Sequence, residues 1–121
     1  MNNQEKADAY DRAADYIEAN GWCRNRLSMP SGEVCIVGAT GVAVNPQLVL
    51  DHAPVAWGQP AWGEIEHDRQ DWYILNLGLD EFIPEDAPYL AIVNWNNMVA
   101  KDKFEVIDLL RHAAKEVRDR E

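Results

Sequence analysis

Positive charge is scarce in this sequence. Lys and Arg total 11 against 21 Asp and Glu, which leaves a net charge of −10 at neutral pH. Such a field repels phosphate backbones, so direct nucleic-acid binding is not expected. Cysteine is scarce as well. Cys23 and Cys35 are too few for a disulfide framework and do not form a Cys-x-x-Cys pair. They read as two small apolar side chains in or near the core. The only histidines are His52, His67 and His112. With the cysteines they lack the short paired spacing of structural zinc sites, and no metal or other cofactor is expected. No apolar run approaches the ~20 residues that cross a bilayer. The opening, MNNQEKADAY, is polar and acidic, unlike a signal peptide. The expectation is a cytoplasmic protein with reduced thiols and no membrane contact.

What is present suits one folded domain spanning residues 1–121, with 47% apolar residues. The acids are unevenly placed. Residues 1–21 carry a net −3, residues 22–62 balance, residues 63–90 carry −7, and residues 91–121 balance. The middle stretch holds Glu64, Glu66, Asp68, Asp71, Asp80, Glu81, Glu85 and Asp86 with Arg69 as its one cation. This is either a solvated surface or a face for a basic protein partner.

Both ends read as amphipathic helices. Near the C-terminus, Asp102 and Glu105 have the spacing of a reciprocal capping box. Val106, Leu110, Ala113 and Val117 then form an apolar stripe, with Phe104, Ile107 and Ala114 beside it. Asp108, Arg111, Lys115, Arg118 and Asp119 fall largely on the opposite face. Ahead of this helix, Asn94-Trp95-Asn96-Asn97 reads as a turn. Near the N-terminus, a helix is expected over residues 3–20. Asn2 and Glu5 form a second capping box, and Ala7, Tyr10, Ala13, Ala14 and Ile17 share one face. Asn20-Gly21 is its stop, through the left-handed conformation open to glycine. Trp22 is expected to fold back on the last turn.

The middle is harder to read. Residues 23–33 have loop chemistry, ending in Met29-Pro30-Ser31-Gly32. Residues 34–44 are β-branched enough for a strand and small enough for a buried helix, and propensity leaves both open. Asn45-Pro46 ends the segment either way. Residues 51–63 read as a loop anchored by Trp57 and Trp62. Residues 71–77 suit a strand or the start of a short helix, and residues 80–83 suit a helical turn. Pro84 and Pro88 then break the chain.

Three blocks carry a resemblance. They are Gly21-Trp22-Cys23 with the helix before it, Cys35-Ile36-Val37-Gly38-Ala39, and Trp95-Asn96-Asn97 with the helix at 105–114. Together they resemble a group of small proteins of unknown function from actinobacteria and their bacteriophages. Asn97 stands where that group usually has Asp. The resemblance implies a helix at 34–44 and a phage or actinobacterial setting. It brings no activity and no catalytic residues.

No catalytic constellation emerges from the residues. A thiol enzyme would pair Cys35 with His52 or His112, which no spacing rule brings together. Glu64-Ile65-Glu66-His67-Asp68 offers metal-binding atoms on one short segment only. Gly38-Ala39-Thr40-Gly41 lacks the spacing and the lysine of a phosphate-binding loop. The fold expected is mainly α, with α+β as the alternative, and terminal helices packed together. The function expected is a non-enzymatic accessory protein that binds a host or phage protein. Trp57, Trp62, Glu64, Glu66, Asp68 and Asp71 would make the contact, since Trp is enriched where interfaces concentrate their energy. The alternatives are a polyanion mimic and a small thiol or metal-dependent enzyme.

Overall fold

The computed structural model describes residues 1–46, 66–83 and 91–120, with residues 66–69 described by backbone alone. The first helix, α1, is Asn3–Asn20. Asn2 Oδ1 accepts from the Glu5 amide at 2.8 Å, and the Glu5 carboxylate accepts from the Asn2 amide, so the capping box is complete. The helix stops at Gly21, whose amide donates to Ile17 O at 2.8 Å. Gly21 has the positive φ expected of a glycine stop, 97°, but its ψ of 174° is extended rather than left-handed helical. That region is open essentially to glycine alone.

The chain then forms a compact loop. Cys23 donates to Val34 O at 3.0 Å, Cys35 to Leu27 O at 3.2 Å, and Met29 to Glu33 O at 2.8 Å. These isolated pairings are the nearest thing to a sheet among the described residues. Trp22, expected to fold back on α1, is packed against the core. Its indole N–H reaches across the molecule to Asn96 Oδ1 at 2.6 Å.

The open choice at 34–44 resolves to helix α2, Ile36–Val44, with Cys35 as its N-cap. Ile36 through Gly41 are all buried. A helix apolar on every side belongs inside, which is why no period showed in the sequence. Gly38 is required by a close approach: a Cβ there would collide with the backbone carbonyl of Leu27. The last turn of α2 is finished from outside, where Arg12 donates two hydrogen bonds to Ala43 O at 3.0 and 3.3 Å. A guanidinium on a C-terminal carbonyl suits the helix dipole.

Helix α3 is Glu66–Asp80, α4 is Ile92–Met98 and α5 is Lys103–Asp119. The stretch around Trp95 is therefore a short helix, not a turn. Trp95 and Asn96 point inward from it, because the i, i+3 and i+4 positions of a helix share a face. At the start of α5, Asp102 Oδ1 accepts from the Glu105 amide at 3.0 Å. The return half of that box is displaced by one residue: Glu105 accepts from the Lys101 amide at 2.6 Å.

The molecule is closed by α1 against α5. Val106, Leu109, Leu110, Ala113, Ala114 and Val117 are buried on α5, and Ala7, Ala9, Tyr10, Ala13, Ala14 and Ile17 are buried on α1, which packs against both α5 and α2. Each buried Leu or Val contributes roughly 1.5–3 kcal/mol. Phe104 departs from the expected stripe. It is 62% exposed, with Lys103 Nζ 5.4 Å from its ring. At the edge of the contact, Arg111 meets Asp11 at 3.1 Å and Asp15 at 2.6 Å, while Arg118 meets Asp8 at 3.2 Å and Asp11 at 3.1 Å. Late residues of α5 thus meet early residues of α1, so the two run antiparallel.

Candidate functional site

Helix α3 runs through the acidic middle of the chain. Its apolar run, Trp72-Tyr73-Ile74-Leu75-Asn76-Leu77-Gly78-Leu79, is split by helical geometry into two faces. Trp72, Leu75, Asn76 and Leu79 point inward and are buried. Tyr73, Ile74 and Leu77 point outward, with 52%, 39% and 50% of their surfaces exposed.

The inner face is locked by polar atoms. Trp72 Nε1–H donates to Val37 O at 2.7 Å, with Thr40 Oγ1 at 3.1 Å. Thr40 Oγ1 also lies 2.9 Å from both Asn76 Oδ1 and Val37 O, and Asn76 Nδ2 donates to Trp72 O at 3.0 Å. Tyr10 donates to Leu75 O at 2.7 Å. Burial raises the Tyr10 pKa above that of a free phenol, so it stays a neutral donor. Its hydroxyl also explains Gly78, since a Cβ there would come within 2.5 Å of it. These bonds fix the rotation of α3 and so determine which residues face out.

Beside the outer face lies a pocket of about 210 Å³ between α3 and α4. It is lined by Val37, Tyr73, Asn76, Leu77, Asp80, Ala91, Ile92 and Val93. Asp80 joins its two walls. The α4 N-cap, Ala91, has no side chain to offer, and Asp80 Oδ1 instead accepts from the Ile92 amide at 2.8 Å. A carboxylate at a helix N-terminus also suits the dipole.

Of the expected contact residues, Trp57, Trp62 and Glu64 lie outside the described residues. Glu66 and Asp68 stand in the first turn of α3, their side chains not described. Asp71 is half-buried one turn further on. The loop expected at 51–63 and the breaks at Pro84 and Pro88 are likewise outside the described residues. Sequence reading missed Tyr73, Ile74, Leu77 and the pocket. The available signal was the spacing of Trp72, Leu75 and Leu79, which is helical and leaves Tyr73 and Leu77 together on the far side.

The thiols are placed for structure. Cys35 is fully buried, and its Sγ accepts from the Gly38 amide at 3.3 Å. Burial pushes its pKa up to about 12, overriding the lowering effect of that amide. Cys23 is half-buried, and burial with Glu33 nearby raises it to about 11. Neither is a thiolate at neutral pH. His112, the proposed partner of Cys35, is exposed on α5 with its ring edge-on to Phe82 at 5.7 Å. His52 lies outside the described residues. Among the described residues no group of three or more His, Cys, Asp or Glu is arranged to hold a metal ion. Nor is any helix among them long and apolar enough to cross a membrane.

These features define a small, mainly helical domain clasped by its two terminal helices, with buried polar side chains acting as internal clamps. Residues 1–116 match the model of a family of unknown function, DUF6197, and the chain belongs to that family. The match runs through the middle of the chain, well beyond the blocks that carry the sequence resemblance. No curated protein and no solved structure matches it.

Proposed function

We propose that this chain is a binding protein without a catalytic role, an accessory factor that docks on another protein through its middle third. The contact would combine the outer face of α3 with Trp57, Trp62, Glu64, Glu66, Asp68 and Asp71. The supporting observation is the outward exposure of Tyr73, Ile74 and Leu77 on a helix whose inner face is fully anchored. Single exposed apolar residues are ordinary, but a cluster beside an apolar pocket is the pattern of an interaction surface. A phage-encoded or phage-related origin is part of this proposal. It rests on the sequence resemblance, and the gene neighbourhood tests it.

Two other readings fare less well. A polyanion mimic needs free carboxylates, yet on α1 Asp8, Asp11 and Asp15 already face Arg111 and Arg118. A thiol enzyme needs an ionised, accessible sulfur, and Cys35 is neutral and buried.

Photo-crosslinking in lysate of the source cell tests the placement. A crosslinker at Tyr73 or Leu77 should trap one protein, and one at Lys115, exposed on α5, should not. Equal capture from both positions, or from neither, contradicts the proposal.

A further inference from the structure

We propose that Cys23 and Cys35 form a redox-sensitive latch, a modification site at which a small-molecule disulfide oxidant cross-links the two ends of the loop between α1 and α2. The backbone sets the pair side by side. The Val34 amide donates to Gly21 O at 3.3 Å and the Cys23 amide to Val34 O at 3.0 Å, which pairs Trp22 with Val34 in a parallel bridge. The next residues in that register are Cys23 and Cys35. Cys35 is still extended, with φ −79° and ψ 175°, before α2 begins. Paired strands lie about 4.7–4.9 Å apart and their side chains alternate faces, so the two cysteines leave the backbone on the same side. A disulfide spans Cα atoms roughly 4.4–6.8 Å apart. The two residues also share a neighbour. Cys23 Sγ lies 3.6 Å from Arg26 O, and the next carbonyl, Leu27 O, accepts from the Cys35 amide at 3.2 Å. The thiols are close enough that Cys23 adds to the upward push burial gives the Cys35 pKa. The chain has two cysteines, so no third thiol competes for either.

Half-buried Cys23 is the point of entry, because Cys35 is fully buried. The Cys23 thiolate attacks one sulfur of the small disulfide and releases one small thiol, which takes up the Cys23 proton. Cys35 then gives up its proton and attacks the Cys23 sulfur from within, expelling the second small thiol, which takes up that proton. The two protein thiols lose two electrons together, and the reagent is reduced to two thiols. With both cysteines protonated at neutral pH the exchange is slow, and it quickens as pH rises. The new bond would tie covalently a junction that Asn96 already ties, donating to Cys23 O at 3.2 Å and accepting from the Ile36 amide at 3.0 Å. It removes freedom from the unfolded chain while the folded loop is closed beforehand, so oxidation stabilises the fold.

The test equilibrates the full chain with mixtures of oxidised and reduced glutathione at about pH 8.5, the ordinary cysteine pKa. One series is native and one is in urea, and each is trapped in acid and read by mass and peptide mapping. The native chain should become lighter by two hydrogens, with Cys23 joined to Cys35 in one molecule. It should do so at a glutathione ratio at least about tenfold more reducing than the urea-unfolded chain requires. The oxidised chain should then unfold at a higher urea midpoint than the reduced one. Cys35→Ser, whose hydroxyl can still cap α2, should stop at a glutathione mixed disulfide on Cys23. Four results would each overturn the latch: the parent chain also stopping at that mixed disulfide, chains joined to one another through Cys23, a disulfide formed no more readily in the folded than in the unfolded chain, or no oxidation of the native chain at all.

Discussion

Asn96 shows how a single buried amide can hold several segments in register. Its Oδ1 accepts from Trp22 Nε1 at 2.6 Å and from the Ile36 amide at 3.0 Å, and its Nδ2 donates to Cys23 O at 3.2 Å. The same Nδ2 meets Asn97 Oδ1 at 3.0 Å, which also accepts from the Asn25 amide at 2.8 Å. The loop after α1, the start of α2 and helix α4 therefore meet at one side chain. Asn96→Leu would leave the buried Ile36 amide and the part-buried Trp22 indole N–H without their acceptor. Each such group costs about 1–3 kcal/mol, so a loss of about 3 kcal/mol is expected in urea unfolding. The cysteines make a second prediction. A thiol whose folded pKa is raised stays protonated in the native state after the unfolded chain has ionised. The stabilisation is full below the unfolded value of 9.0 and is lost as pH rises toward about 11 for Cys23 and about 12 for Cys35. Stability should therefore fall between pH 9 and pH 11, and Cys35 should resist thiol reagents at neutral pH until the protein is unfolded. Rapid native labelling of both thiols would contradict this placement.

The helices differ in how much of them could be read in advance. α1 and α5 were legible because each combines a capping residue with a one-sided stripe, and both signals are local. The capping contribution can be checked: Asp102→Ala should cost about 1 kcal/mol, and Asp102→Asn much less, since Asn caps equally well. α2 gave no period because it is buried all round, and its β-branched and small residues suited a strand or a buried helix equally well. The decisive contact, Leu27 against Gly38, lies between residues eleven apart in the chain. α3 was obscured for a different reason. Its apolar run mixes core and surface positions; the spacing of Trp72, Leu75 and Leu79 hints at the division, and the Thr40, Asn76, Trp72 and Tyr10 bonds fix it. The short α4 depends on a cap lent by Asp80 from another helix, which no local rule would find.

For the molecule as a whole, the antiparallel clasp of α1 and α5 closes the core, and its ion pairs sit at the rim. Arg111 and Asp11 are each about one-third exposed, so their pairing adds little stability and is screened by salt. The apolar contact carries the clasp: Leu110→Ala should cost about 3 kcal/mol, as for other fully buried leucines. Trp57, Trp62 and Glu64 belong to the contact surface only by sequence argument. For α3 the division between a face that folds the protein and a face left over is physical. It can be probed by urea unfolding of the double variant Tyr73→Ser, Leu77→Ser. If both side chains face water and wait for a partner, the midpoint stays within the small range of ordinary surface changes, about 0.5 kcal/mol. A loss of about 2–5 kcal/mol, the size of a core truncation, would mean that this face is covered by the chain itself, and the proposed docking surface would not exist.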